Sequence, residues 1–394
     1  MNMIYTGCML KIKIKLIIIL LSGIWLAGCD QLSEIDPSGN VVNIAFISSD
    51  IREAPDESDE QDDILAGVLV ANAADPFLDN GDKLEIVFAR QPESAREIPG
   101  LIRDYLKRDN ISAILLGSNS KSILQIKHDI DAFKIPTLAV VATHPDVVKE
   151  VKFISQLSFD DERQGQAAAL FVRDELLLKR AAVFFDDADP HSGYLGQIFR
   201  TMFEQTGGVI DGFHLVSELN HNTLEKLKAK NTQIIYMPLS AKKVLTAITL
   251  LETLDWEPEL MGADSLFARV IQEYPNRLDE LNGMYVTDLY TDNNDFVNVS
   301  KFVKRILGFY DEMYRNESNS DTALGVEGYQ VLKVAINQCL DRSNGNCINK
   351  KVRSIENQQG IISNISILSN GKARRPIFIN TIKNNNLKMI VKVN

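Results

Sequence analysis

Several acidic residues and a histidine lie together in one short segment of the sequence. Asp186, Asp187, Asp189 and His191 follow directly on the apolar run 181–185. Carboxylates and an imidazole at this spacing are groups that bind divalent metals or assist phosphoryl transfer. Two-metal or receiver-type chemistry needs further ligands or a partner lysine, and no pattern in the sequence marks them. We therefore interpret the segment as a polar loop between a strand and a helix, and predict no metal site.

The sequence also lacks the common catalytic motifs. It contains no Gly-x-Ser-x-Gly elbow, no phosphate-binding Gly-x-x-x-x-Gly-Lys loop and no Gly-x-Gly-x-x-Gly fingerprint. The five histidines are scattered along the chain. We therefore expect a protein that is not an enzyme and that needs no cofactor.

The first 28 residues have the features of an export signal. Three lysines between positions 11 and 15 precede an apolar run from Leu16 to Gly28, which is shorter than the roughly 20 apolar residues of a membrane span. The run ends in Leu26-Ala27-Gly28-Cys29, which resembles a bacterial lipobox. That resemblance implies cleavage before Cys29, a lipid on its sulfur and a protein held at a bilayer outside the cytoplasm. An uncleaved anchor or a chance match is the alternative.

Residue 30 bears on which membrane holds the lipid. Asp30 directly after Cys29 resembles the signal that retains lipoproteins in the inner membrane of enteric bacteria. Residues 29–40 are interpreted as a tether between the lipid and the folded part. We therefore expect a periplasmic or extracytoplasmic protein anchored to the inner, or plasma, membrane.

Two cysteines remain for the folded part of the chain. Cys339 and Cys347 enclose a polar segment rich in turn-forming residues, and an oxidising compartment favours a disulfide between them. Such a ring would fasten the end of a helix. Two free thiols are the alternative, because the sequence does not give the Cα separation that a disulfide requires.

Length and charge narrow the class of protein further. The 394 residues are enough for two domains, each with its own core. Without the leader and its three lysines, 39 basic and 53 acidic residues remain, a formal net charge of −14. This balance disfavours nucleic acid as a partner, because its affinity comes mainly from cationic contacts to phosphates.

Short apolar strands alternate with amphipathic helices along most of the chain. The predicted strands are Val41 to Ser48, Lys83 to Ala89, Ser112 to Gly117, Thr137 to Ala142, Ala181 to Phe185, Val209 to Val216, Gln233 to Met237, Glu259 to Gly262 and Met284 to Leu289. The predicted helices are Gln61 to Ala74, Glu93 to Arg108, Ser120 to Phe133, Asp161 to Leu178, Ser192 to Thr206, Thr223 to Lys230, Ala241 to Leu254, Phe296 to Arg315 and Gly325 to Leu340.

This alternation predicts an α/β fold with parallel sheets that helices cover on both faces. Such folds bind ligands at the carboxyl ends of their strands. The tail departs from the pattern, with strand-like runs at Ile361 to Leu368, Pro376 to Ile382 and Leu387 to Val393. Asn370-Gly371 lies between the first two runs and is a strong hairpin signal.

Several local phrases, in this order, resemble the type I periplasmic solute-binding proteins, in particular the branched-chain amino acid (Leu/Ile/Val) branch. They are Ile114-Leu115-Leu116-Gly117-Ser118, Ile135-Pro136, Ala142-Thr143-His144-Pro145, Ala181 to Asp187, Met261-Gly262-Ala263-Asp264, Gly325 to Tyr329, and Gly360 to Ile379. The resemblance covers about Val41 to Val393 and implies two Rossmann-like lobes joined by three crossings at a hinge. Mapped onto this chain, lobe 1 is 41–156 plus 290–357, and lobe 2 is 158–289 plus 360–394.

The resemblance also implies ligand-binding residues. Ser118 and Thr143 match positions whose hydroxyls and backbone N–H groups hold an α-carboxylate, with Val141 beside them, and Asp264 matches the acceptor of an α-ammonium. His191 falls where the family often has an aromatic side chain over the ligand, and this departure puts a simple branched-chain ligand in doubt. Alternatively, Ser118, Thr143 and Asp264 are ordinary helix N-caps, and His191 is a surface histidine.

The largest departure from the family is the loop after the first strand. Asp50 to Asp63 holds eight carboxylates in fourteen residues, where the family carries small residues. A solvated acidic loop is the simpler interpretation, and selection of a cationic ligand is the alternative. A calcium loop is disfavoured, because the regular ligand spacing and the turn glycine are missing.

The resemblance implies capture of a small polar ligand, an amino acid or related compound, by closure of two lobes, and delivery to an ABC permease. The alternative is a regulatory or interaction lipoprotein of the same fold, a ligand sensor or an activator of a cell-wall synthase, with a degenerate cleft.

Overall fold

The computed structural model describes residues 39–48, 63–88, 92, 94–291, 320–361 and 363–394. The leader with Cys29, the acidic loop up to residue 62 and the predicted helix Phe296 to Arg315 lie outside these residues, so those expectations stay predictions.

The first sheet is entirely parallel, with strand order β2-β1-β3-β4-β5. Each strand is a short run rich in β-branched and other apolar residues, as expected for strands that helices cover on both faces. The strands are β1 (Val41–Ile47), β2 (Lys83–Val87), β3 (Ile111–Leu116), β4 (Thr137–Ala139) and β5 (Ile154–Gln156), and the intervening helices are α1 (Asp63–Ala74), α2 (Ile98–Asp109) and α3 (Ser120–Asp131).

The second sheet has the spatial order β15-β14-β10-β9-β8-β6-β7. The five strands β6 to β10 are parallel to one another, and β14 and β15 at one edge pair antiparallel. Its parallel strands are β6 (Arg180–Phe185), β7 (Val209–Leu215), β8 (Ile234–Met237), β9 (Glu259–Gly262) and β10 (Tyr285–Asp288). The helices in this part of the chain are α4 (Asp161–Leu170), α5 (Pro190–Gln205), α6 (His221–Ala229), α7 (Ala241–Glu252) and α8 (Leu266–Glu273). A π-helical turn, Phe171–Glu175, extends α4.

The tail supplies elements to both sheets and forms a small sheet of its own. Helices α9 (Ser320–Asn337) and α10 (Gly345–Val352) pack with the first sheet, and a small sheet in the order β11-β12-β13 follows. Strands β14 and β15 then complete the second sheet. The strands are β11 (Gln358–Gln359), β12 (Asn364–Ile367), β13 (Ala373–Arg374), β14 (Ile377–Lys383) and β15 (Asn386–Val393).

Side chains of each central strand point alternately into two cores. In β3, Ala113 and Leu115 belong to the core under α1 and α9, whereas Ile114 and Leu116 belong to the core under α2 and α3. Strand β6 divides its apolar residues between two cores in the same way. Because both faces are buried, the strands are continuously apolar, and this is the pattern that the sequence showed.

Glycines allow α1 and α9 to pack closely. A Cβ atom on Gly67 would lie 2.2 Å from the Thr322 carbonyl oxygen, and one on Gly325 would lie 2.1 Å from the Ile64 carbonyl oxygen. Only residues without a side chain fit at these two positions. The close contact fixes α9, and hence the chain that returns after the second sheet, against the first sheet.

The chain passes between the two sheets three times, after β5, after β10 and before β14. A buried ion pair joins parts of these passages: Arg375 Nη1 lies 2.7 Å from Glu327 Oε2, and neither side chain is exposed. The Ile361 N–H donates to Glu327 Oε1 at 2.7 Å. A Cβ atom on Gly360 would lie 2.4 Å from that same oxygen, so a glycine is required there.

The predicted α/β fold class with parallel sheets is confirmed. Most elements differ from the predictions by a few residues, and Pro99 lies in the first turn of α2, which begins five residues later than predicted. The predicted turn at Asn370-Gly371 is present, but it joins β12 to the short strand β13, which was not predicted. The predicted run Pro376 to Ile382 is β14, which pairs with β10 and β15 instead. Strand β5 and helix α10 were not predicted, because both are short. The lobe boundaries stay a prediction.

Candidate ligand-binding site

The predicted site residues lie where parallel strands end. Ser118 follows β3, Val141 and Thr143 follow β4, and Asp264 follows β9. His191 is the second residue of α5, which the loop after β6 precedes. Residues from both sheets therefore meet at one location, as expected for carboxyl ends of parallel strands.

His191 is the centre of this cluster. Its Nδ1 lies 3.1 Å from Thr143 Oγ1 and 3.1 Å from both carboxylate oxygens of Asp161. Its Nε2 lies 3.4 Å from Asp264 Oδ1. One imidazole thus contacts two carboxylates that follow different strands and a hydroxyl from the first-sheet part of the chain. His191 is therefore not the surface histidine of the alternative interpretation, since only 22% of its side chain is exposed.

Asp264 has a second donor within the chain. Gln164 Nε2 donates to Asp264 Oδ1 at 2.7 Å and lies 2.8 Å from Thr287 Oγ1. Gln164 is fully buried on the first turn of α4, three residues after the equally buried Asp161. The carboxylate that the resemblance assigns to a ligand ammonium is thus held by two side chains of the protein.

Thr143 is also bonded within the protein. Its N–H donates to Ser120 Oγ at 3.1 Å, as does the N–H of His144, and its carbonyl oxygen accepts from the Asp161 N–H at 3.0 Å. The Thr143 N–H and hydroxyl, which the resemblance assigns to a ligand carboxylate, therefore have partners in this structure. The ligand-binding role of the predicted residues stays a prediction.

The charges in the cluster shift the ionisation of its members. Burial alone would lower the pKa of His191, but the carboxylates of Asp161 and Asp264 outweigh it and hold that pKa well above its ordinary value. Burial raises the pKa of Asp264, whereas the adjacent His191 and the Gln164 amide lower it, and the net shift is downward. The pair is therefore an imidazolium and a carboxylate at neutral pH.

A further carboxyl group at this end of the second sheet behaves differently. Burial, with the Asp264 charge nearby, raises the pKa of Asp288 to about 8. Its Oδ1 accepts from the Tyr290 N–H at 3.1 Å. Asp288 ends β10, and no pattern in the sequence marks it as a site residue.

The structure assigns the helix N-caps to residues other than those proposed as alternatives. Asn119 caps α3 and accepts from the Ser122 N–H at 2.9 Å, so Ser118 is not the cap. His144 precedes the short 3₁₀ turn after β4, and Ser265 is the N-cap residue of α8. Ser118 is fully buried, and Val141 packs against the core under α1 and α9.

Sequence reasoning missed Asp161, Gln164 and Ser120. A polar residue at the first position of a predicted helix, followed by another three positions later, is the signal that could have marked the first two. These positions share one helix face, and here that face points into the cluster. Ser120 gave no comparable signal, because serine is common at the start of any helix.

The loop after β6, which contains Asp186, Asp187 and Asp189, has a structural role. The Asp186 carboxylate pairs with Lys243, and the Asp186 N–H donates to Ser192 Oγ at 2.9 Å. Asp189 is the N-cap of α5 and accepts from the His191 N–H at 3.2 Å. Among the described residues, no group of three histidine, cysteine or acidic side chains is arranged so that it could hold a metal ion.

Cys339 and Cys347 form the predicted disulfide, with Cα atoms 6.1 Å apart. Within the enclosed loop, Arg342 donates to the carbonyl oxygens of Ile336 and Asn337, each at 3.0 Å, and so closes the end of α9.

In the part of the chain that the structure describes, no helix is long and apolar enough to cross a membrane.

Comparison with solved structures shows what this arrangement is similar to. The leucine-binding protein of Thermotoga maritima is 22% identical, with a TM-score of 0.75 over 90% of this chain and 99% of that one. A branched-chain amino acid transporter substrate-binding protein of Streptococcus pneumoniae, in complex with isoleucine, is 16% identical, with a TM-score of 0.74 over 90% and 99%. An ABC transporter solute-binding protein of Rhodopseudomonas palustris, in complex with 3,4-dihydroxybenzoic acid, is 14% identical, with a TM-score of 0.72 over 90% and 97%.

No protein-family model and no curated protein sequence matches the chain. The first two of these structures cover 90% of the chain with TM-scores of 0.75 and 0.74, at 22% and 16% sequence identity. The chain therefore has the fold of the type I periplasmic binding proteins, as its sequence predicted.

Proposed function

We propose that the protein is an extracytoplasmic solute-binding lipoprotein. It captures a small polar ligand, an amino acid or a related acid, by closure of two lobes, and delivers it to an ABC permease. The lobes are 41–156 plus 290–357 and 158–289 plus 360–394. The lipid on Cys29 holds the protein at the inner, or plasma, membrane.

One observation carries the proposal. Side chains from the carboxyl ends of both sheets, Thr143 on one side and His191 and Asp264 on the other, form a single polar cluster. Binding proteins with separate lobes need such groups on both sides, because a ligand favours closure only through contacts that the closed form adds. The solved structures of this fold that contain leucine-like or aromatic acids support the same class of ligand.

Contacts between helices that pack on the two sheets support closure as the mechanism. Gln272 of α8 donates to the Asp63 carboxylate of α1 at 2.7 Å, and Arg269 of α8 lies 3.8 Å from Asp321 of α9. These pairs join helices that pack on different sheets. A long and partly exposed ion pair contributes little energy, so a ligand that adds charge-assisted hydrogen bonds would decide the closed population.

A thermal-shift screen tests the proposal. The full chain, purified in detergent, is heated with amino acids, organic acids, amides and polyamines. A ligand at a hundredfold excess over its Kd stabilises the folded state by about 2.7 kcal/mol, which is a clear shift. We expect one chemical class to give that shift and Asp264→Ala to remove it, since the variant loses the anchor of His191. Asp187→Ala, at an exposed position of the loop after β6, is the control and should leave the shift intact.

Membrane attachment has its own test. In cells, the wild-type protein should fractionate with membranes and incorporate labelled palmitate, whereas Cys29→Ala should do neither, because the lipid forms on that sulfur. Cys347→Ser is the matched control and keeps the lipid. A Cys29→Ala protein that stays in the membrane with an intact leader would instead indicate an uncleaved anchor.

The hydrogen bonds within the cluster favour a second candidate, a regulatory lipoprotein with a degenerate cleft. Thr143, His191 and Asp264 already satisfy one another and need no ligand to do so. If no compound in the screen stabilises a protein that melts cooperatively, the transport proposal is contradicted. Capture of a cell-wall synthase from membranes by the wild-type chain would then support the regulatory function.

A further inference from the structure

We infer that His191 takes the place of a ligand's ammonium group, so that the cleft selects small carboxylic acids without an α-ammonium over zwitterionic amino acids. This inference rests on the proposed function and specifies its ligand class.

The first step is the position of the two ring nitrogens. Nδ1 lies at hydrogen-bonding distance from Asp161 and Thr143, and Nε2 lies 3.4 Å from Asp264. An ammonium nitrogen bound to the same acceptors would need distances of about 2.7–3.2 Å, and Nδ1 lies within this range of Asp161 and Thr143 at 3.1 Å, while Nε2 lies just outside it from Asp264. The imidazole and an ammonium group therefore compete for one place.

The second step is access to the carboxylates. The Asp161 side chain has no exposed surface, so a ligand reaches its oxygens only by displacing the imidazole. Asp264 is 16% exposed, and its Oδ1 already receives the Gln164 amide as well as facing His191. Fewer hydrogen-bond acceptor positions are therefore open to a ligand ammonium group than in a site where the acidic residue has no partner within the protein.

The third step is the compensation of charge. Asp161 is the first residue of α4, and Asp264 lies just before α8, so both carboxylates are near helix amino ends whose backbone N–H groups favour negative charge. With His191 positively charged between them, the cluster does not require a cation from the ligand.

The experiment compares ligands that differ only in the ammonium group. Leucine is matched with 4-methylpentanoate, and phenylalanine with 3-phenylpropanoate, by titration calorimetry on the full chain in detergent at neutral pH. We expect the deaminated acid to bind about ten- to hundredfold more tightly in each pair, the range that one charged hydrogen bond provides. His191→Ala should reverse the order, because it opens the place for an ammonium group.

Controls separate this effect from general damage. His221→Ala, which removes a histidine bonded to Thr253 at an exposed position, should leave the ratio unchanged. If His191→Ala does not fold, His191→Gln keeps a hydrogen-bond donor without the charge, and its ratio should fall between those of the other two proteins. The wild-type ratio is decisive even when neither variant melts cooperatively.

Two results would overturn the inference, and they are distinguishable. A wild-type protein that binds the amino acid of each pair more tightly leaves the proposed function standing and removes this inference alone. No binding of either member by the wild type or by His191→Ala contradicts both the proposed function and the inference that depends on it.

Discussion

At the scale of single residues, the most informative arrangement is one histidine between two carboxylates. His191 is held by Asp161, which is fully buried, and by Asp264, which is largely buried. Breaking such a group by removing one partner is costly, because the remaining charge stays buried. The cluster is therefore expected to be rigid, and its protonation should be coupled to folding.

The pH dependence of stability follows from two groups with raised pKa values. The pKa of His191 is raised above its ordinary 6.5, so its stabilising contribution is complete below that pH and is lost as pH rises through the folded value. The pKa of Asp288 is raised from 3.8 to about 8, so the folded state keeps a proton that the unfolded chain releases. Stability therefore falls with rising pH from both sources.

Urea unfolding at a series of pH values measures this effect. Between about pH 5 and about pH 9, the free energy of unfolding should decrease by more than about 1 kcal/mol, since each unit of pKa shift corresponds to about 1.4 kcal/mol. Asp288→Asn should remove the decrease below about pH 6.5, where only Asp288 contributes, and His191→Gln should remove part of the decrease above pH 6.5. A flat wild-type profile would contradict the assigned ionisation of both groups.

At the scale of elements, loops after strands and helix starts place the site residues. The first turn of α4 supplies Asp161 and Gln164, the start of α5 supplies His191, and the segment before α8 supplies Asp264. Each helix start is fixed by its own sheet. The site geometry therefore depends on how these helix starts are capped and packed rather than on any one strand.

The loop between α9 and α10 gives a prediction at this scale. The disulfide closes a ring of about nine residues, and the loss of chain entropy in the unfolded state is worth about 2.5 kcal/mol. Cys339→Ser/Cys347→Ser should lower the free energy of unfolding by about that amount in urea. A reducing agent should lower the stability of the wild type equally and leave the double variant unchanged. Equal stability of the oxidised wild type and the double variant would refute the contribution.

At the scale of the whole molecule, a buried ion pair connects the first and third passages between sheets with the helix that follows the second passage. Arg375 lies just before β14 and pairs with Glu327 of α9, while its Nη1 also lies 3.4 Å from the Leu157 carbonyl oxygen. The Arg375 carbonyl oxygen accepts from Arg163 of α4 at 2.8 Å. One side chain thus connects the first passage, the helix that follows the second and the third passage.

Removing one member of this pair should be strongly destabilising. Glu327→Gln leaves the Arg375 guanidinium buried without its carboxylate, and we expect a loss of about 3–5 kcal/mol in the free energy of unfolding, measured in urea. Glu327→Leu/Arg375→Met removes both charges and should cost clearly less than the single change. A double variant that is less stable than Glu327→Gln would contradict the unpaired charge as the cause.

Much of the fold follows from the sequence, and the reason is local. Continuous apolar strands separated by amphipathic helices require sheets that helices cover on both faces. This pattern can be recognised within a single short segment, such as β3 or β6. Strand β5 was not predicted, because its three residues are too few to show the apolar pattern of a strand. The resemblance to the binding-protein family implied that Thr143 and Asp264 belong to one site, and both lie after strand ends, where parallel strands bring their carboxyl ends together.

Only the tertiary structure decided what those side chains bond to. The hydroxyl of Thr143, the imidazole of His191 and the carboxylate of Asp161 are far apart in the sequence, and no periodic pattern relates them. Their contact depends on how the two sheets are placed by three passages of the chain, a long-range arrangement set by packing of the whole molecule. The sequence by itself determined the elements, the predicted export signal and the two cysteines that pair. The partners of each polar group were decided by the packing. Hydrogen bonds and ion pairs need distances that are correct to within a few tenths of an ångström, and local sequence patterns do not encode such distances.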